Sequence, residues 1–96
     1  MLRLEWTTPA ANQFEHAQNY YHALNPMAAT LMALRILEAA QRLCEQPALG
    51  RPGRVPSTRE WVVARTPYLL VYRAHGDALE VLYVWHEAQD WGSYTG

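Results

Sequence analysis

The second half of the chain concentrates the side chains that could do chemistry. Five of the eight arginines lie in one short segment: Arg51, Arg54, Arg59, Arg65 and Arg73. Glu60 is the single acid among them, so the segment carries a local charge of about +4 in a chain whose formal net charge is −1. A guanidinium keeps its charge and binds carboxylates or phosphates through paired hydrogen bonds. The segment could therefore do phosphate chemistry, bind an acidic partner, or form a solvated surface.

His86 adds a candidate general base to these cations. A neutral imidazole can act as a base while two guanidiniums hold a phosphate. The candidate trio for phosphate chemistry is Arg59, Arg73 and His86. Alternation along the predicted strands indicates that Arg73 and His86 could share a sheet face. In the structural alternative, His86 bonds locally at a strand end and the arginines form surface ion pairs with Glu60, Glu80 or Asp90.

Composition predicts one domain with a buried core. The chain has 96 residues, half of them hydrophobic and 18% charged, which suits a single independent fold. Its one cysteine, Cys44, excludes an internal disulfide framework and is expected to be a small buried residue. We see no metal-ligand spacing and expect no metal and no cofactor. No run of 18 apolar residues and no secretion signal are present, so a cytoplasmic protein is expected.

Two capping residues followed by prolines predict an antiparallel helical hairpin. Thr8-Pro9 and Asn25-Pro26 each read as a helix start. The apolar face of the first helix is predicted to be Ala10, Phe14, Ala17, Tyr21 and Leu24. The apolar side of the second helix, which ends before Pro47, is predicted to contain Met27, Leu31, Leu34, Ala40, Leu43 and Cys44, with Ile36 and Leu37 broadening it.

Period-two alternation predicts four strands, at about residues 2–6, 58–64, 68–74 and 78–86. Residues 48–57 read as a loop, and His75-Gly76-Asp77 as a hairpin turn. On the last strand, one face is predicted to carry Leu79, Val81, Tyr83 and Trp85, and the other Glu80, Leu82, Val84 and His86. The order β-α-α-β-β-β gives an α+β fold, with the helical hairpin on a mostly antiparallel four-stranded sheet.

The amino-acid sequence of the second half resembles that of the RelE/ParE superfamily of bacterial toxins. The matching pieces, in order, are Leu49-Gly50-Arg51-Pro52-Gly53, Thr58-Arg59-Glu60, Pro67-Tyr68, Val71-Tyr72-Arg73, Gly76-Asp77, His86 and Asp90-Trp91. The resemblance implies a toxin of a type II toxin–antitoxin pair, neutralised by a small ParD-like antitoxin encoded nearby and held with it in a hetero-oligomer. RelE-like members resemble ribosome-dependent mRNA endoribonucleases, whereas ParE-like members resemble inhibitors of DNA gyrase.

Three departures from the ribonuclease pattern favour the ParE-like branch. Leu69 stands where cleaving members tend to have arginine, the chain has no lysine, and Glu87-Ala88-Gln89 replaces a further arginine after the last strand. Tyr94 is a candidate for the catalytic tyrosine of such members. A sequence pI of about 6.4 fits a protein target better than ribosomal RNA.

We therefore expect a ParE-like inhibitor of DNA gyrase that acts by protein–protein binding. The partner-binding residues are predicted to be Arg51, Arg54, Arg59, Arg65, Arg73 and Trp91. A ribosome-dependent endoribonuclease is the first alternative, with the ribosome and mRNA as partners. A family member that is inert or only binds is the second alternative, since fold does not fix function.

Overall fold

Two helices pack on one side of a five-stranded sheet in the computed structural model, which describes residues 1–87. In chain order the elements are β1 (Arg3–Trp6), α1 (Thr8–Leu24), α2 (Pro26–Glu45), β2 (Arg51–Pro52), β3 (Arg59–Val62), β4 (Tyr68–His75) and β5 (Ala78–His86). The strand order across the sheet is β1-β5-β4-β3-β2. β1 runs parallel to β5, and the other neighbours are antiparallel. The predicted α+β class is confirmed.

The fifth strand is the difference from the prediction of four. β2 lies inside the predicted loop 48–57, where Arg51 pairs with Glu60 and Pro52 with Arg59. Proline cannot donate to a ladder and is tolerated in such a short edge strand. A strand of two residues is too short to show alternation, so the sequence composition indicated only a loop here.

Side-chain caps set the ends of both helices. The hydroxyl of Thr7, not of Thr8 as predicted, accepts the Ala10 N–H and begins α1. Asn25 was correctly predicted as the cap of α2, where its side-chain oxygen accepts the N–H groups of Met27 and Ala28. The Asn25 N–H also donates to Tyr21 O, the last bond of α1. One residue thus closes the first helix and opens the second, which forces the antiparallel hairpin.

Neither helix in residues 1–87 has the combination of length and apolar character that a membrane span requires.

The buried side of α2 is rotated from the predicted one. The structure buries Ala29, Met32, Ile36, Ala40, Leu43 and Cys44. Met27, Leu31 and Leu34 were predicted to be on the apolar core side, but their residues are 74%, 46% and 48% exposed. At 100° per residue they lie about half a turn away from Ile36 and Ala40. On α1, Leu24 is likewise exposed, whereas the other four predicted face residues lie in or against the core.

A β-bulge in β5 reverses the predicted faces of its second half. Val71 pairs with Tyr83 and Tyr72 pairs with Val81, so Leu82 has no partner in β4. The extra residue breaks the period of two. Leu79, Val81 and Val84 therefore belong to the core cluster under the helices, which defines the helix side of the sheet. Leu82, Tyr83 and Trp85 pack with Leu69 and Val71 on the opposite side, called here the outer side.

Tyr72 fixes the connection from α2 into β2. Its side chain is fully buried. The Tyr72 hydroxyl donates to Pro47 O at 2.7 Å and accepts the Gly50 N–H at 2.9 Å. A Cβ on Gly50 would lie 2.6 Å from that hydroxyl and 2.8 Å from Glu60 O, so the close approach requires glycine. Burial raises the pKa of the Tyr72 hydroxyl, which remains a protonated donor.

Tyr72→Phe is expected to lower the free energy of unfolding by about 1–3 kcal/mol, because it leaves the Pro47 carbonyl and the Gly50 N–H without their partner. Urea unfolding followed by tryptophan fluorescence measures the change. Tyr68→Phe is the matched control, since Tyr68 is also a buried β4 tyrosine but its hydroxyl makes no such pair of bonds within residues 1–87. An equal loss in both variants would contradict the role assigned to the Tyr72 hydroxyl.

Candidate partner-binding surfaces

Glu60 organises the first two arginines of the basic segment. Its side chain is 2% exposed on the outer side of β3. The carboxylate accepts Arg51 Nη2 at 3.1 Å and the Arg54 backbone N–H at 3.0 Å, and the Arg54 guanidinium lies 4.0 Å away. A carboxylate is retained in a buried position when charges and donors compensate its lost hydration. The contacts with Glu60 therefore give Arg51 and Arg54 a structural role, which is to stabilise the loop that follows β2, whether or not they also bind a partner.

The other outer-side arginines are matched by acids across the sheet. Arg73 Nε donates to Glu80 Oε1 at 2.9 Å, which confirms one ion pair of the structural alternative. Arg3 contacts Glu5 at 2.6 Å and Asp77 at 3.1 Å. Because these acids lie outside the basic segment in sequence, the local charge of about +4 does not become a basic surface on this side.

The sheet separates the residues of the candidate catalytic trio. Arg59 and Arg73 line one groove of about 410 Å³ with Ser57 and Thr58, and Arg59 donates to Gly50 O at 2.8 Å. His86 packs edge-to-face on Tyr68, with ring centroids 5.1 Å apart, on the helix side. The prediction that Arg73 and His86 could share a face is therefore wrong, because the bulge at Leu82 turns His86 to the opposite side.

His86 instead lines a groove of about 620 Å³ between α1 and the ends of β4 and β5. Its other lining residues are Asn12, Gln13, His16, Tyr20, Tyr21, Tyr68 and Val84, so no guanidinium lines it within the described residues. Gln13 Oε1 accepts the Val84 N–H at 2.8 Å, which covers the β5 edge beyond the end of β1. Burial, with Tyr21 and Tyr20 nearby, raises the pKa of the Tyr68 hydroxyl and keeps it neutral.

Three residues singled out in the sequence fall outside the described residues. Asp90, Trp91 and Tyr94 lie beyond residue 87. Within residues 1–87, no three potential metal ligands come together. Cys44 is buried as predicted, and desolvation raises the pKa of its thiol.

The family of the chain follows from a match over nearly its whole length. The model of the family described as "ParE toxin of type II toxin-antitoxin system, parDE" matches residues 4–91. The chain belongs to the ParE toxin family. It is therefore a toxin of a type II toxin–antitoxin system, as the RelE/ParE resemblance implied, with a cognate antitoxin as its partner.

Relatives of this ParE-family toxin carry names from both branches of the superfamily. The protein named "Putative toxin Y4kP" of Sinorhizobium fredii is 42% identical over 93% of this chain and 92% of the relative. "Toxin RelE2" of Caulobacter vibrioides is 32% identical over 93% of this chain and 99% of the relative. A solved structure titled "Chromosomal ParDE TA system from P. aeruginosa" matches with a TM-score of 0.80 at 27% identity, covering 90% of this chain and 96% of that one.

This ParE-family toxin also carries a basic cluster that the sequence analysis missed. Arg35, Arg42 and Arg65 line one groove of about 330 Å³ with Glu38 and Trp61. Arg35 donates to Arg65 O at 3.2 Å across the groove. Only Arg65 was predicted as a partner-binding residue, because the other two precede the basic segment. Their separation by seven residues, or two helical turns, was the available signal.

Proposed function

We propose that this toxin inhibits DNA gyrase by protein–protein binding and has no phosphate-cleaving centre of its own. The separation of His86 from Arg73 by the sheet carries the proposal. Cleavage through a 2′-hydroxyl needs the base and the phosphate-holding cation at the same phosphate. An imidazole on the helix side and a guanidinium on the outer side do not meet that condition.

The charge balance of the outer side also favours a protein target. Docking on RNA depends on an excess of cations facing the phosphates. Here Arg3, Arg51 and Arg73 each contact a carboxylate on the same side of the sheet. Alternating charges of this kind are suited to a partner that presents both signs, because they fix its orientation.

We place the gyrase contact on the outer side, where a groove of about 350 Å³ has a mostly apolar lining that includes Arg73. Its walls include Val55, Val71, Leu82 and Tyr83, and Arg73 lies at its edge. A concave apolar centre with an arginine beside it matches the usual anatomy of a protein-binding site. Arg51 and Arg54 would form the rim, with Arg59 in the adjoining groove and Trp91 as a further contact.

Purified toxin is expected to block supercoiling of relaxed plasmid by gyrase. Arg73→Ala should raise the inhibitory concentration at least about tenfold, because arginines that adjoin a buried apolar contact are frequent hot spots. Arg3→Ala is the matched control: it also breaks an exposed outer-side ion pair, but at the far edge of the sheet, and should leave inhibition unchanged. Equal inhibition by both variants would remove Arg73 from the contact.

An mRNA endoribonuclease is the second candidate, favoured by the relative named Toxin RelE2 and by the groove that Arg59 and Arg73 share with two hydroxyls. A map of mRNA ends in expressing cells tests it. Cuts in mRNA without inhibition of gyrase would overturn the gyrase proposal, and their loss in His86→Ala would return His86 to the mechanism. If neither activity nor growth inhibition is found, the inert reading stands.

A further inference from the structure

Three arginines meet in the groove between α2 and the turn that follows β3. Arg35 and Arg42 lie two helical turns apart on α2, and Arg65 belongs to the turn. Within residues 1–87, none of the three guanidiniums makes a salt bridge with a carboxylate. The groove therefore gathers positive charge that the described part of the chain does not pair.

Glu38 is the single acid among the described residues that line the groove, and it does not neutralise the cluster. Its spacing from Arg35 and Arg42, three and four residues, would allow an ion pair along the helix. No such pair forms between the described side chains. Three cations thus face one carboxylate, whereas Arg51 and Arg73 on the outer side each contact an acid.

Arg65 occupies a backbone position that suits glycine. The Thr66 N–H donates to Val63 O at 3.2 Å, which closes a four-residue turn with Arg65 at its third position. The φ of Arg65 is 61°, in the left-handed region, and turns with such a φ at the third position favour glycine. An arginine kept there in spite of the strain indicates a use for its side chain, and that side chain lines the groove.

The groove is held in shape by its own residues. Arg35 Nη1 donates to Arg65 O at 3.2 Å, which fixes the turn against α2 and leaves the other Arg35 donors for a ligand. Buried Val63 and half-buried Trp61 line the β3 side of the groove. Because the guanidiniums are carried by a helix and a bonded turn, less conformational entropy is lost when a ligand binds.

We propose that this groove binds a polyphosphate chain, either free or as part of a nucleoside triphosphate. Guanidiniums pair with phosphate oxygens through two parallel hydrogen bonds, and adjacent phosphates present several negative charges to a cluster of cations. The indole of Trp61 offers an aromatic surface on which the base of a nucleotide can stack. Since Trp61 packs on the helix side of the sheet, the site is independent of the gyrase contact placed on the outer side.

The size of the groove and the limits of the cluster favour a small ligand over a nucleic-acid strand. The volume of about 330 Å³ lies within the range of small-molecule sites, about 300–1,000 Å³. Nucleic acids are bound by cations that follow a path of phosphates. On α2, exposed Leu31 and Leu34 precede the cluster and exposed Glu45 follows it, so the positive charge does not continue along the helix.

Calorimetric titration of the full-length toxin with sodium tripolyphosphate, and separately with ATP, tests the inference. Both should bind at low ionic strength and weaken as salt is added. Arg35→Gln/Arg42→Gln should weaken both affinities at least about tenfold, because it removes two of the three guanidiniums. Equal affinities would show that the phosphate chain alone is recognised, and tighter binding of ATP would identify a nucleotide site.

Arg65→Gly separates ligand binding from folding. Glycine adopts a φ of 61° without strain, and the backbone carbonyl that accepts the Arg35 bond remains. The urea midpoint of unfolding should therefore not fall, while the affinity for tripolyphosphate falls at least about fivefold. Unchanged affinity in Arg65→Gly would overturn the role of Arg65 as a ligand-binding residue.

Two controls distinguish a built site from general attraction of anions. Arg3→Gln removes an exposed arginine at the opposite edge of the sheet and should keep the affinity for tripolyphosphate within about twofold. Sodium sulfate at matched ionic strength should compete poorly, because one sulfate engages fewer guanidiniums than a phosphate chain. The proposal fails if neither ligand binds the wild-type toxin, if sulfate competes as well as tripolyphosphate, or if Arg3→Gln weakens binding as much as Arg35→Gln/Arg42→Gln.

Discussion

Replacing Arg51 and Arg54 together by alanine is expected to lower the free energy of unfolding by about 3 kcal/mol. Removing one side of a buried ion pair costs about 3–5 kcal/mol, since the remaining charge lacks compensation. Here the Glu60 carboxylate, 2% exposed, would keep only the backbone N–H of residue 54. Water entering the space left by the two side chains places the cost at the lower end. Urea unfolding measures it.

Adding Glu60→Gln to that variant is the control, because the neutral amide no longer needs the two cations. The triple variant should recover to within about 1 kcal/mol of the wild type, since the amide oxygen can still accept the backbone N–H. If the triple variant is as unstable as the double one, the arginines stabilise the loop by packing and not by neutralising Glu60.

This prediction affects how mutations in the basic segment are interpreted. Loss of toxicity in an Arg51 or Arg54 variant follows from a destabilised loop as readily as from a lost contact with gyrase. Arg73 is the cleaner probe, because its ion pair with Glu80 is partly exposed, unlike the buried Glu60 carboxylate, and contributes about 1 kcal/mol. A functional scan therefore needs the unfolding curve of each arginine variant beside its activity.

Local signals determined the parts of the fold that were predicted from the sequence. Asn25-Pro26 specifies a helix cap, and the hairpin between β4 and β5 turns at Gly76, whose φ is 61°. Each of these features depends on residues adjacent in the chain. The α+β class also follows from the sequence, because segments with the two-residue period of strands and segments with the helical period succeed each other clearly along the chain.

The features that were missed depend on neighbours distant in the sequence. The bulge at Leu82 lies in a stretch where Leu82, Tyr83 and Val84 are all apolar, so no polar residue marks the change of face. That single shift decided which side of the sheet carries His86 and separated the predicted catalytic trio. The cluster of Arg35 with Arg65 likewise depends on a turn that packs thirty residues away along the chain.

Ile36→Ala is expected to lower the free energy of unfolding by about 3–4 kcal/mol, whereas Leu34→Ala should change it by less than about 0.5 kcal/mol. Ile36 is fully buried between the hairpin and the sheet, so its truncation removes apolar contacts and leaves a cavity. Leu34 is nearly half exposed on the same helix, and alanine has the better helix propensity. Thermal or urea unfolding of the two variants measures the difference.

The contrast between these two positions tests which side of α2 is buried in the isolated toxin. If Leu34→Ala destabilised the toxin as strongly as Ile36→Ala, the apolar side of α2 predicted from the sequence would be right and the observed buried side would be wrong. If Leu34→Ala leaves the free energy of unfolding unchanged, the half-exposed leucine adds no packing to the isolated fold. The buried side of α2 is then set by the residues that meet the sheet, and apolar spacing along the helix does not by itself identify it.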